Sequence, residues 1–253
     1  GYWALDESSG IVALDSSGNN RHAYYSGVSV ANQNAPDGYP APYWDGINDQ
    51  LYWDTSPTNG INAWNPDSGT LSFWFNLPTM SNYASLVWLD GTTGYSDDFM
   101  GIDYDPGSGA ILVYFVRGTT GGTVSWYPAP APDTWHNVSV VWDASSFTAY
   151  FDGTSGGSQA LGTWGGGNLV SPRMYPGNEA LFARFALWDV PLSAGQISLV
   201  SSWQGIPQSD PYREVIDLGD RAGYFEMGTN AGETAILFVQ LVIAGLIVRG
   251  LHV

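Results

Sequence analysis

The residues of this chain that could carry out chemistry are few, and their spacing decides against most reactions. Cleaving a glycosidic bond with retention needs a nucleophile and an acid about 5 Å apart, which sandwich-type glucanases set as closely spaced carboxylates on one strand. Only five glutamates occur (Glu7, Glu179, Glu214, Glu226 and Glu233), and none lies in a strand with alternating acidic neighbours. A hydroxyl–imidazole–carboxylate site needs a rigidly held histidine. Of the three histidines, His22 closes a turn, His136 follows Trp135 at a strand start, and His252 is next to last. The first two read as structural, and the third is too close to the end to be fixed. The absence of Cys removes thiol nucleophiles and Cys-ligated zinc; the absence of Lys removes the P-loop, the Schiff base and the kinase lysine. The sequence reads as non-catalytic.

Binding is better represented. Calcium is the cofactor to consider, because hard oxygen ligands gather on Asp-rich loops: Asp97, Asp98, Asp103 and Asp105 fall within nine residues, and Asp6, Asp15 and Asn19 form a second group. Both clusters also read as turn formers, Asp103-Tyr-Asp105-Pro-Gly as a hairpin loop. Aromatic side chains offer flat apolar faces to the C–H faces of sugars. Trp126 and Tyr127 open a Pro-rich loop (WYPAPAP), Trp164 precedes three glycines, and Trp64 lies in INAWNPD, so these four are the candidate glycan platform. The alternative is that they cover sheet edges. Trp74, Trp135, Trp142 and Trp188 lie within strand-like runs and are expected in the core. Asn137-Val138-Ser139 matches a glycosylation sequon but begins a strand, and carries no weight. All 7 basic residues are Arg, scattered singly against 24 acidic ones, for a net charge of -17. No basic stripe could neutralise a run of phosphates, so nucleic acid is not expected as a partner.

The elements that must position these residues are β-strands. From residue 1 to about 190 the chain alternates short Val/Ile/Thr/aromatic runs with Gly, Asn, Asp, Pro and Ser clusters, a many-stranded antiparallel signature. The clearest strands are Thr70–Leu77, Ala110–Arg117, Thr134–Trp142, Phe147–Phe151 and Ala180–Trp188, with turns at Asp90-Gly91, Asp105-Pro106-Gly107, Asp143–Ser146 and Asp152-Gly153. One helix is expected over Leu192–Ser202, where Ser193 and Gln196 form a capping box. Surface scaling gives roughly 11,000 Å² folded against about 39,000 Å² extended, enough burial for one domain without staples.

Past Gln204 the composition changes. Pro207–Gly232 is polar, and Ala235–Val248 (AILFVQLVIAGLIV) is apolar apart from Gln240. As a helix this run would span about 21 Å, short of the roughly 30 Å hydrocarbon core, so a membrane span is not the expected reading. It suits an element buried on all sides, either on its own domain or in a neighbouring subunit. For the second case Ile236, Phe238, Leu241, Ile243, Leu246 and Val248 are the assembly residues. The expected division is a domain over 1–204 and a linker with an apolar arm over 205–253. The chain opens on Gly1, as a processed or trimmed chain would, with any leader upstream.

Several motifs occur in a fixed order: YWALDESSG (Tyr2–Gly10), DSSGNNRH (Asp15–His22), YWDGIND (Tyr43–Asp49), TWHNV (Thr134–Val138), YFDG (Tyr150–Gly153) and FALWDVPLS (Phe185–Ser193). Over residues 1–203 they resemble a laminin-G-like domain of the concanavalin A-like lectin/glucanase group. The resemblance implies a two-sheet antiparallel jelly-roll sandwich, usually non-catalytic, of the kind found in adhesins, secreted glycan-active proteins and bacteriophage virions. Many relatives carry an acidic pair in the last strand where this chain has Ala183-Arg184, which counts against a family-type calcium site. The expectation is a structural or adhesive surface module, extracellular or on a virion as a decoration, fibre or spike component, anchored to copies or neighbouring subunits by its arm. The alternative is a carbohydrate-binding module of a secreted or cell-surface protein.

Overall fold

The computed structural model describes residues 1–36, 38–53, 65–91, 98–165 and 172–202. The back sheet contains β1 (Tyr2–Trp3), β4 (Ser29–Asn34), β5 (Pro40–Trp44), β7 (Gly69–Asn76), β12 (Trp135–Trp142), β13 (Ser146–Phe151), β14 (Thr154–Ala160) and β16 (Ala180–Trp188). Its order is β14-β13-β12-β7-β16-β5-β4, with β1 on β16. The front sheet contains β2 (Val12–Ala13), β3 (Ala23–Ser26), β6 (Gln50–Trp53), β8 (Ala84–Asp90), β9 (Asp98–Asp105), β10 (Ala110–Arg117), β11 (Thr120–Trp126) and β15 (Arg173–Tyr175). Its order is β11-β10-β9-β8-β15-β6-β3-β2, and every pairing in both sheets is antiparallel. The expected two-sheet antiparallel jelly-roll sandwich is what forms.

Alternation explains the layers: on β10, Ile111, Val113 and Phe115 point into the core while Leu112, Tyr114 and Val116 point outward. The core is aromatic. Trp3 meets Trp53 edge-on at 5.3 Å, Trp44 meets Phe182 at 4.7 Å, and Phe115 contacts Trp142 and Phe147, both at 5.8 Å. Asp152 (φ 47°) and Gly153 (φ 77°) make the β13–β14 turn, and a Cβ on Gly153 would stand 2.4 Å from Ser201 Oγ. That turn packs against α1 (Ala194–Val200), which starts with the expected Ser193/Gln196 capping box and buries Ile197 and Val200 on the outer side of the back sheet.

The N-terminal motif is held by Asp15, which accepts hydrogen bonds from Tyr2 N, Ser17 N and Arg21 N at 2.9–3.0 Å. Burial pushes its carboxyl upward, but the hydrogen bonds from Ser17, Tyr2 and Arg21 outweigh this and hold it below the ordinary carboxylate value. His22 Nδ1 accepts from Asp15 N at 3.0 Å, a structural role as expected. On β16 the register shifts between Ala183 and Ala186, and buried Arg184 (φ 58°) donates from its backbone and its guanidinium to Ala4 O. The Ala183-Arg184 pair therefore ties the first strand to the last.

Candidate functional site

Cross-strand neighbours share a face of a sheet, so the register of the front sheet fixes what its outer surface carries. One row runs unbroken through all eight strands: Val12–Tyr24–Tyr52–Arg173–Trp88–Gly101–Tyr114–Thr123. Four of these eight side chains are aromatic. Tyr24 and Tyr52 stack at 5.7 Å with a 30° interplanar angle, and Trp88 stacks on Phe99 at 5.0 Å and 14°. Gly101 makes room for the indole: a Cβ there would lie 2.7 Å from Trp88 Cζ3, so the ring lies over the glycine beside Tyr114. Tyr52, Tyr83 and Tyr175 are 43%, 50% and 42% exposed, and Trp88, Phe99 and Tyr114 are half-buried. Together they form a broad, solvent-facing aromatic surface set on regular strands.

Asp103 belongs to the next row, Tyr175–Ser85–Asp103–Leu112. It is buried, and its Oδ2 accepts a hydrogen bond from the Tyr83 hydroxyl. Burial raises the Asp103 carboxyl above its ordinary value, against the lowering effect of hydrogen bonds from Tyr83 and Ser85. Burial, with Asp103 and Asp105 nearby, pushes the Tyr114 hydroxyl up to about 12. Asp105 shares the outer face with Asp103 but turns into its own turn, accepting from Gly107 N at 2.9 Å, Ser108 N at 3.1 Å and Ser108 Oγ at 2.7 Å. One carboxylate is covered and the other is committed, so the two do not present an acid and a nucleophile to a glycosidic bond.

Among the described residues, the carboxylates considered as calcium ligands do not converge. Asp98 faces the opposite side of β9 from Asp103 and Asp105, because five residues separate it from Asp103 on a strand whose faces alternate every residue. Its carboxylate accepts instead from Gly118 N at 3.0 Å and Gly165 N at 3.1 Å, pinning two loops. Asp97 lies outside the described residues. In the N-terminal group Asp15 is spent on the turn, and among the described residues no three His, Cys, Asp or Glu side chains converge as a metal site.

The loop aromatics are also placed differently from the expectation. Trp126 ends β11 opposite Ile111, a core residue, so its indole turns inward and packs on Phe151 at 5.1 Å and His136 at 5.2 Å. Trp164 is half-buried against the core. Tyr127 is 73% exposed, and Trp64 lies outside the described residues. Of the expected platform, then, Trp126 and Trp164 are packed against the core and Tyr127 is exposed among the described residues. The sequence gives little sign of the residues that do gather, because Tyr24, Tyr52 and Arg173 lie in strands of three or four residues. The available signal was outward parity: the odd positions of FMGIDY and the even positions of LVY.

His136 Nδ1 lies 2.7 Å from Asp152 Oδ2, and its Nε2 lies 2.7 Å from Thr134 Oγ1, a carboxylate–imidazole–hydroxyl order. Thr134 directs its one hydroxyl proton to Ala131 O, and Asp152 Oδ1 accepts from Asn137 N at 2.7 Å. The chain ties the 131–134 loop to the β13–β14 turn, and the hydroxyl is not set up as a nucleophile. Asn137 is buried and donates to Ser72 Oγ and Phe73 O, so the sequon is sealed inside the folded domain.

A laminin-G-type family model, described as the concanavalin A-like lectin/glucanases superfamily, matches residues 45–198. A search of curated proteins returns no match. Among solved structures, the receptor binding domain of botulinum neurotoxin C/D mosaic serotype aligns with a TM-score of 0.61 at 13% identity, over 79% of this chain and 50% of that chain. The binding domain of Paraclostridial Mosquitocidal Protein 1 aligns with a TM-score of 0.59 at 14% identity, over 77% of this chain and 50% of that chain. This chain thus spans about half the length of these solved chains, and at such identities the likeness is one of fold.

Proposed function

The chain belongs to the concanavalin A-like lectin/glucanase superfamily, and from that premise we propose that it is a non-catalytic binding module that holds carbohydrate on the outer face of its front sheet. The observation that carries this reading is the register row, which aligns stacked aromatic rings across adjacent strands on a solvent-facing surface. Sugar rings stack on such faces, and strand-borne rings are held more rigidly than loop-borne ones. The uncoupled carboxylates and the occupied Thr134 hydroxyl support a binding role over a hydrolytic one. Receptor and other binding domains among the similar folds are compatible with it. The setting that suits it is extracellular.

A second component of the proposal concerns assembly. The apolar run Ala235–Val248 supports an arm that anchors the module to copies of itself or to neighbouring subunits, as on a bacteriophage particle where the domain would serve as a decoration, fibre or spike. The run lies outside the described residues, so its sequence alone supports this part.

The test is a glycan array followed by titration of the best ligand. Wild type should bind at least one glycan, and Trp88→Ala and Tyr114→Ala should each weaken it about tenfold, some 1.4 kcal/mol, without loss of fold. Trp126→Ala should lower stability but leave affinity unchanged. Binding unaffected by Trp88→Ala and abolished by Tyr127→Ala would move the site to the loops.

A further inference from the structure

Independently of the glycan reading, we propose that the turn between β5 and β6, closed against the turn between β3 and β4, is a calcium site built from Asp45, Asn48 and Asp49. The observation that points to a ligand is the Asp49 carboxylate. Asp49 is 2% exposed and its two oxygens are treated unequally: Oδ2 accepts from the Asp45 amide, while Oδ1 is buried with no hydrogen-bond partner. A carboxylate oxygen left buried and unpaired is costly, and a bound cation removes that cost. Oδ1 points toward Gly27, where a Cβ would lie 2.4 Å from it and 3.2 Å from both Asn48 O and Asn48 Oδ1. A carboxylate, a carbonyl and an amide oxygen thus converge on one small space, which Gly27 (φ 79°) keeps clear.

Asp45 supplies the second charge. It is exposed at the start of the turn, its Oδ1 accepts from Ile47 N at 2.9 Å, and its carboxyl contacts that of Asp49. Burial raises the Asp49 carboxyl above its ordinary value, the Asp45 amide opposes the rise, and the Asp45 carboxyl adds to it. Two adjoining carboxylates repel each other unless a proton or a cation lies between them. Mixed hard oxygens in an open turn suit Ca2+, which takes oxygens at about 2.3–2.6 Å in flexible geometry, over Mg2+, which demands a near-ideal octahedron at about 2.0–2.1 Å. The calcium distances are shorter than a hydrogen bond from water, so the ion can enter a space that excludes water. There it clamps the end of the β3–β6 ladder, one residue beyond the Ser26–Gln50 pair. The site uses none of the aspartates that the sequence suggested for calcium, nor the β16 position of the family-type acidic pair. With two carboxylates in an exposed turn, the expected dissociation constant is about 10⁻⁴–10⁻³ M, as in extracellular calcium modules.

The experiment strips the full chain with chelator and titrates it with CaCl2, and separately with MgCl2 at the same ionic strength, following heat of binding and melting temperature. Wild type should show saturable calcium binding at this site and a melting temperature that rises with calcium well beyond its rise with magnesium. Asp45→Asn keeps the acceptor for Ile47 N, and Asn48→Ala changes an exposed side chain, so both should melt no lower than wild type in chelator. Each should weaken calcium binding at least fivefold and lose most of the calcium-dependent rise. Asp189→Asn, which removes the same charge from an exposed position elsewhere, should bind as wild type does. An equal response to magnesium, or an equal loss in Asp189→Asn, would show general screening of a chain at -17 and overturn the site. Absence of saturable calcium binding overturns it too, as does binding unchanged in both Asp45→Asn and Asn48→Ala.

Discussion

Two carboxyl groups show how position on a sheet sets the behaviour of one residue type. Asp103 is buried on the outer face and its carboxyl is raised, whereas Asp15 is surrounded by donors and its carboxyl is lowered. Between the ordinary carboxylate value and the raised value of Asp103, the folded protein holds a proton that the unfolded chain has released, so stability falls as pH rises through that window. Asp15 acts in the opposite sense: its contribution is complete above the ordinary value and is lost as pH falls through the lowered one. Asp103→Asn keeps an acceptor for Tyr83 and removes the titration. It should raise the melting temperature at neutral pH and flatten the decline on the alkaline side of the carboxylate range. Asp15→Asn should lower the melting temperature at neutral pH, with the deficit shrinking as the pH falls below the ordinary carboxylate value. Melts across this range decide the matter, and an Asp103→Asn variant destabilised equally at every pH would refute the account.

The strand is the scale at which the platform is made or lost. Gly101 sits at the centre of β9, where a glycine weakens a strand unless another group needs the space, and here the Trp88 indole needs it. Adding one methyl group at this position is therefore a functional change more than a stability change. With Gly101→Ala the indole should swing outward, lose its stack on Phe99, and weaken glycan binding as far as Trp88→Ala does. The stability cost should be about 1 kcal/mol, the low end for overpacking, because the ring has solvent to move into. Near-UV circular dichroism reports the stack and titration reports the affinity; wild-type values in both would show that the glycine serves only the backbone. The same reasoning explains why Trp126 is not part of the site. Its register partner Ile111 faces the core, so the last residue of β11 must do so too.

At the scale of the whole molecule, the proposal gives the sandwich the binding face and gives the apolar run Ala235–Val248 the anchoring role. If that segment is an assembly arm, the full chain should form a discrete oligomer while a chain ending at Gln204 stays a folded monomer, as read by light scattering without detergent. Equal monomer masses and equal melting temperatures for the two would remove the assembly component and leave the binding module alone. Multivalent display would raise apparent affinity for a surface glycan without any new contact. Single sites of modest affinity are then compatible with adhesion.

Much of this architecture could be read from the sequence because its signals are local. Ala110–Arg117 and Ala180–Trp188 were delimited to the residue, the other three clear strands to within one residue, and the Ser193/Gln196 box marked the helix start. Alternation and turn residues act over two to four positions, so no tertiary information is needed to see them. The ordered motifs also pointed to the family, which the match over residues 45–198 establishes. The site was a different matter. Side-chain parity tells which residues of one strand share a face, but it does not tell which strand lies beside it, and β15 reaches its place between β8 and β6 from far along the chain. Aromatics flanked by Pro and Gly look exposed in a sequence, and only the register shows Trp126 turned inward and Trp88 turned out. The sequence determined the strands and the kind of sandwich they build; the tertiary structure decided which side chains stand next to one another, because cross-strand proximity is a property of the assembled sheet.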